Sequence, residues 1–552
     1  GLDITEVFST YLYDGTSASH TITNGVDLTE GGLVWIKKRN ESTNSDHMLF
    51  DTERGPNERL FSNDNGRSYT RTNQLNSFDS SGFTLGGDSP ASPNNSGKEY
   101  VSWSFRKAPK FFDVVTYTGT GSAQNISHNL GSVPGMIIVK RTDAANNWTC
   151  FHRSLASNGT GAWIELNNPD AAQTDPAVNY WNNTGPTDSV FTVATDSSVN
   201  ASGGTYVAYI FAHNNGDGEF GPDSDQDIIK CDAWTGSGSS GTQIDLGFEP
   251  QWVMVKQTGG SSASGWQMFD VMRGMGVEVN TRLLANETGA ESSYTSGNVP
   301  IAVNATGFKV NQSYFYDSGS SFIYIAIRRG PLAPPEAGTE VFKVTTQGAV
   351  DNNDPGFKTD WPVDFAIRKD TDGSNGATGS RLTGIGKMYT DATNSENTTD
   401  PDMVWDFSNG WWGNSTTDST KIAWMWKRAP GYFDVVCYIG NDSNRNLSHN
   451  LGAVPEMMWV KRRDSTGGDW NIYHKDTGNT KYLVLNSTAA ASTNQYRWNN
   501  TTPTESVFTV GTATNTNGGN GDAYIAYLFA SLAGVSKVGS VSHVQYTDTN
   551  VD

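Results

Sequence analysis

Two kinds of apolar run alternate along this chain. "YVAYIFA" (Tyr206 to Ala212) and "YIAYLFA" (Tyr524 to Ala530) are apolar or aromatic at every position. A strand with one wet face would alternate, so these runs predict central strands covered on both sides. "FFDVVTYTG" (Phe111 to Gly119) is rich in β-branched and aromatic residues, which fit a half-buried pleated surface. Between them lie stretches such as "HNLGSVP" (His128 to Pro134), whose Asn, Gly and Pro suit tight turns. No long run carries the 3.6-residue spacing of a helix, and the pattern predicts an all-β protein.

The pattern repeats. "RKAPKFFDVVTYTG" (Arg106 to Gly119) returns as "KRAPGYFDVVCYIG" (Lys427 to Gly440). "ISHNLGSVPGMIIVKR" (Ile126 to Arg141) returns as "LSHNLGAVPEMMWVKR" (Leu447 to Arg462), and "WNNTGPTDSVFTV" (Trp181 to Val193) as "WNNTTPTESVFTV" (Trp498 to Val510). The order and spacing of the phrases are kept, which is the mark of a copied module. Weaker copies fill the gaps. Strands end in a basic residue at Lys37, Lys140, Lys256, Arg368 and Lys461, and an apolar closing strand follows each. The expected architecture is a tandem array of about five antiparallel β-sandwiches, jelly-roll-like, of roughly 90 to 115 residues each. The modules run 1–109, 110–214, 215–331 with an acidic linker, 332–431, which diverges most, and 432–531, a near-copy of the second. Residues 532–552 read as the first strand of a sixth. That strand implies a longer chain or completion by another chain, and the start at Gly1, with no signal-peptide layout, implies a trimmed or absent upstream part.

Composition narrows the function. Over 552 residues there are 59 Gly, 17 Trp, 21 Tyr and 24 Phe, and only 17% are charged. A net charge of -20 excludes a nucleic-acid-wrapping role and disfavours adhesion to anionic membrane. No apolar run is long enough to span a bilayer as a helix. The three cysteines, Cys150, Cys231 and Cys437, stand where other modules carry ordinary strand residues, so they read as core thiols.

The phrases "GLVWIKKR", "RKAPKFFDVVTYTGTG", "HNLGSVPGMIIVKRTD" and "YVAYIFAHNNGDGEFGPDSDQDIIKC" resemble repeat domains in large virion structural proteins of marine phages, especially cyanophages. The resemblance covers essentially the whole chain. It implies a virion appendage or surface component such as a tail fibre, and it carries over no catalytic residues. The expectation is a non-enzymatic phage structural protein located on the virion, built as a string of sandwiches. Its implied partners are its own copies (a trimer, by analogy with fibres), other virion proteins and host-surface polysaccharide. A bacterial surface or secreted adhesin with carbohydrate-binding modules is the alternative, and a polysaccharide-degrading enzyme a distant third. No pair of facing carboxylates stands out to support the last.

Trp181, Asn182 and Asn183, with their copies Trp498, Asn499 and Asn500, combine a flat ring with amides. That set suits a sugar, whose face stacks and whose hydroxyls bond; it equally suits a Trp plugging a sandwich beside an Asn turn. Trp411 and Trp412 in "GWWGN" carry the same two readings. Asp223, Asp225 and Asp227 in "NNGDGEFGPDSDQD" offer calcium ligands, but lack the glycine and distal glutamate of a calcium loop, and otherwise read as a solvated linker. Calcium is the one cofactor considered. "FDTERG" and "FDVMRG" repeat an Asp-x-x-Arg pair that reads as structural. His128 and His449 share a module position, as do His152 and His474; turn bonding accounts for them without zinc spacing.

Overall fold

The structure is a computed structural model. It describes residues 1–542 apart from 44, 88–91, 156–160, 175–179, 261–263, 296–298, 349–354, 372, 374–375, 401 and 414–417. The chain divides into two compact units, residues 1–332 and 333–552. Both are built from antiparallel β-sandwiches, three in the first unit and two in the second.

One strand order recurs in all five. In the second module the opening strand Phe112–Thr118 pairs with the closing strand Thr205–Phe211, which pairs in turn with the core strand Met136–Arg141. A meander continues the sheet through the fourth strand Thr149–His152, the fifth strand Ala162–Glu165 and Gln173–Thr174. The facing sheet joins Gln124–Ser127 to Val190–Val193. The fifth module keeps this order strand for strand, from Phe433–Ile439 to Ala523–Phe529. The closing strand is central, as its apolar run demands: Tyr206, Ala208 and Ile210 alternate with Val207, Tyr209 and Phe211, and all are buried.

What covers the outer face of that strand is the neighbouring module. A single hydrophobic cluster in the first unit gathers Phe8, Trp35 and Phe105 from module 1, Phe112, Ile138 and Phe211 from module 2, and Trp252, Met254 and Ile327 from module 3. Phe105 meets Phe211 at a ring-centroid distance of 5.6 Å and Trp252 at 5.9 Å. The three sandwiches thus share one core. They do not form the string that tandem repetition suggests, because each large sheet is apolar on both faces and needs a partner on the second.

Module 4 shifts the expected register by one. Phe365 lies opposite Ser380, as Met136 lies opposite His152, so Lys369 takes the place of Lys140. Arg368 instead faces into its own sandwich, with its guanidinium 4.6 Å from the Trp412 ring centroid. After the fifth module, Leu532 bridges Ser536, and no strand follows through residue 542; residues 543–552 of the expected sixth strand lie outside the described residues.

Candidate functional site at the module interfaces

The densest buried polar chemistry of the first unit lies between its modules. Lys37, Lys140 and Lys256 lie in the second half of their core strands, Gly32–Lys38, Met136–Arg141 and Pro250–Gly259, and are fully buried. Their amines donate to the carbonyls of Thr288, Asn65 and Pro169 at 3.2, 3.3 and 2.6 Å. Each acceptor belongs to another module and lies at the same place, just past the fifth strand. Burial pulls the amines down from the usual 10.5, Lys37 to about 7 and the other two to about 8.

A second tie runs beside each amine. The residue before the fourth strand is His47, Trp148, Trp266 or Trp470. The Trp148 indole donates to the Phe61 carbonyl at 2.9 Å, Trp266 to Glu165 at 2.8 Å and Trp470 to Tyr389 at 2.9 Å. Those three carbonyls end the fifth strands of modules 1, 2 and 4. His47 sits at the same place beside the Leu284 backbone of module 3.

A third tie is backbone to backbone. Ser68 N–H donates to Thr142 O at 2.9 Å, Ala172 to Thr258 at 3.0 Å, Glu291 to Arg39 at 2.9 Å, and Glu396 to Arg463 at 2.7 Å. In module order these run 1 to 2, 2 to 3, 3 to 1 and 4 to 5. The third sandwich therefore returns to the first, and the first unit is a closed ring of three. Arg39 adds a paired ion bridge to Glu291 at 2.8 and 2.9 Å across the closing interface. Arg463 repeats it with Glu396, closest approach 2.5 Å, between modules 5 and 4.

The residue ending each fourth strand completes the set. Tyr209 Oη donates to Asp51 at 2.8 Å, the Trp103 indole donates to Asp270 at 3.2 Å, and His152 Nε2 lies 3.1 Å from Tyr324 O. Asp51 and Asp270 also hold Arg54 and Arg273 at 2.7 and 2.6 Å. The repeated Asp-x-x-Arg pair is thus a buried inter-module tie. Burial drops His152 to about 4, so it bonds Tyr324 as a neutral ring.

The sugar-reading residues lie elsewhere. Trp181 and Trp498 are buried within modules 2 and 5, edge-on to Phe151 and Tyr473, with indoles donating to Ala162 O at 3.1 Å and Lys481 O at 2.9 Å. Asn182, Asn183, Asn499 and Asn500 are exposed and hold φ values of 52°, 48°, 51° and 49°, the left-handed turn that Asn tolerates. Trp411 and Trp412 are core residues of module 4, and Trp405 stacks on Trp411 at 5.0 Å; Asn414 of the same motif lies outside the described residues. Asp227 accepts Gly216 N–H at 2.7 Å and Gly218 N–H at 2.9 Å, while Asp223 and Asp225 are exposed. Among the described residues no three acidic, His or Cys side chains cluster as metal ligands. His128 and His449 each accept a backbone N–H, from Leu130 and Leu451.

The sequence flagged the basic residue of each core strand but not its destination, and it missed Trp148, Trp266 and Trp470. Their signal was present: a Trp opens the fourth strand in "NNWTCFH", "SGWQMFD" and "GDWNIYH". No helix among the described residues is long and apolar enough to cross a membrane. No curated protein matches the chain. Residues 3–331 and 368–550 match the family described as Domain of unknown function (DUF7483), the first match running almost the length of the three-module ring. On that coverage, the chain belongs to the DUF7483 family.

Proposed function

We propose that this is a non-enzymatic structural protein of a phage particle, a tail fibre or surface appendage assembled from repeated sandwiches. The observation that carries the reading is the cyclic set of ties in the first unit. Its buried amines, indoles and carboxylates bond other modules and so hold the sandwiches together. A ring with one shared core resists bending at its joints, which suits a load-bearing appendage better than a chain of separate domains. The wording of the repeats, which resembles marine phage virion proteins, supplies the setting. In this reading the exposed Asn182–Asn183 and Asn499–Asn500 turns are where host-surface glycans meet the protein, through amides without a stacking ring. The test is to isolate particles from the native source, identify the chain by mass spectrometry, and locate it by antibody labelling in electron micrographs. Labelled appendages are the expected result. A chain found only free in the medium or on bacterial cells would favour the adhesin reading.

A further inference from the structure

The second unit repeats one interface of the ring and, among its described residues, holds two sandwiches. Modules 4 and 5 are joined as 1 and 2 are, through Trp470 and Tyr389 and through Glu396 and Arg463. The positions that module 3 covers in the first unit are then uncovered here. Trp35, Ile138 and Met254 are no more than 1% exposed, yet Ile367 and Trp459, at the same register, are half-buried. Leu166 is fully buried, and Leu485 in its place is 39% exposed. Trp103 and Phe105 are buried, whereas Trp424 and Trp426 are half-buried. A groove of about 640 Å³ between the two sandwiches is lined by Ile367, Asp391, Trp459 and Leu485.

We propose that this face receives a third β-sandwich of the same fold, seated as module 3 is seated between modules 1 and 2. The occupant is specified by the polar places that remain. Val484 ends the fifth strand as Glu165 does, so its carbonyl stands where Trp266 donates. Thr488 stands where Pro169 accepts Lys256. His474 occupies the place of His152, which bonds Tyr324 O of module 3, and Trp424 the place of Trp103, which donates to Asp270. The partner therefore carries an indole before its fourth strand, a carboxylate at the end of that strand, and an amine in the second half of its core strand. The inference continues an interface already present in the same chain, and it stands whatever particle or surface the protein serves.

The experiment supplies module 3 as the probe. In the full chain, residues 531–552 are replaced by residues 213–332, joined after Ala530, which stands where Ala212 stands. Hydrogen exchange read by mass spectrometry should show the amides of residues 485–491 slowed at least tenfold. The protection should weaken when the added copy carries Trp266→Phe. A grafted module protected as in the first unit, with residues 485–491 unchanged, would overturn the proposal. Should the graft not fold, the unmodified chain decides. Leu485→Glu should leave the unfolding midpoint unchanged while Leu166→Glu disrupts the ring. Equal damage from both, or self-association abolished by Leu485→Glu, would mean that the face is already covered or taken by a second copy, and would overturn the proposal.

Discussion

Lys140 Nζ, fully buried, lies 3.3 Å from the Asn65 carbonyl of the preceding module. The same amine donates to Arg141 O at 2.8 Å, so it holds two carbonyls, one in each sandwich. Removing it takes a donor from each; Asn65 O still accepts the Asn146 N–H at 2.9 Å, so the Arg141 carbonyl bears the loss, and a buried acceptor without a donor costs about 1–3 kcal/mol. Lys140→Met should therefore lower stability by about 2 kcal/mol in urea titrations, despite its better apolar fit. A stabilised variant would show that the amine's desolvation outweighs its bonds.

The same lysines set a pH dependence. Burial holds Lys37 to about 7 and Lys140, Lys256 and Lys461 to about 8, against 10.5 in the unfolded chain. Between those values the unfolded chain binds more protons than the folded one, so stability rises with pH. The penalty for charging the amines is fully present below pH 7 and relieved on the way to 10.5. Above 10, burial of Tyr209 and Tyr527 reverses the slope, because their folded values are raised well beyond the ordinary one. Urea midpoints should climb from pH 7 to pH 9, and Lys140→Met should make the climb shallower. A flat or falling profile over that window would contradict the assignment.

Much of this fold was legible because sequence period and strand environment agree. "YVAYIFA" announced a strand covered on both faces, and Thr205–Phe211 is one. What covered it was not legible. The residues that close the ring, such as Arg39 and Glu291, lie in different modules, and a bond between modules leaves no local periodicity. Module 4 misled for a physical reason. Arg368 and Lys369 are both basic, and the strand register, which sets Arg368 against Trp412 inside the sandwich, decides which faces inward. The Trp-Asn-Asn motif was ambiguous because a ring that plugs a core and one that stacks on a sugar have the same neighbours in sequence.

Ring closure should depend on Arg39 and Glu291 more than on any exposed ion pair. Their side chains are 6% and 19% exposed, against 19% and 39% for Arg141 and Asp143. A largely buried pair is less screened by solvent than an exposed one, which contributes about 0–1 kcal/mol, so breaking it costs more. Glu291→Gln should shift the chemical unfolding midpoint of the first unit strongly, and Asp143→Asn hardly at all. Similar small shifts from both would argue that the backbone ties alone close the ring.

The thiols should report the packing. Cys150 and Cys231 are fully buried, and burial pushes both thiols up, away from the reactive thiolate; Cys437 is half-buried. In native protein, Ellman's reagent should modify Cys437 alone, and all three after denaturation. Replacing the three by Ser or Ala should cost on the order of 1 kcal/mol each and leave the ring intact. Fast native labelling of Cys231 would mean that modules 2 and 3 separate in solution.

Asn182 and Asn183 separate the turn reading from a glycan role. Both sit at positive φ, where an ordinary side chain is strained by roughly 1–2 kcal/mol and glycine is not. Thr184 N–H, at 3.0 Å from Trp181 O, closes the turn through backbone, and the turn requires the positive φ values at both positions. Asn182→Gly with Asn183→Gly should therefore keep the fold and lower the melting temperature less than the double alanine variant, which lowers stability by about 2–4 kcal/mol. Glycan arrays on the two variants, with the same changes at Asn499 and Asn500, then isolate the amides' other use. If the glycine variant, folded as before, loses binding to host-surface polysaccharide, the amides are the contact; if it binds as the wild type does, the Asn pairs serve the turn and the glycan site lies elsewhere.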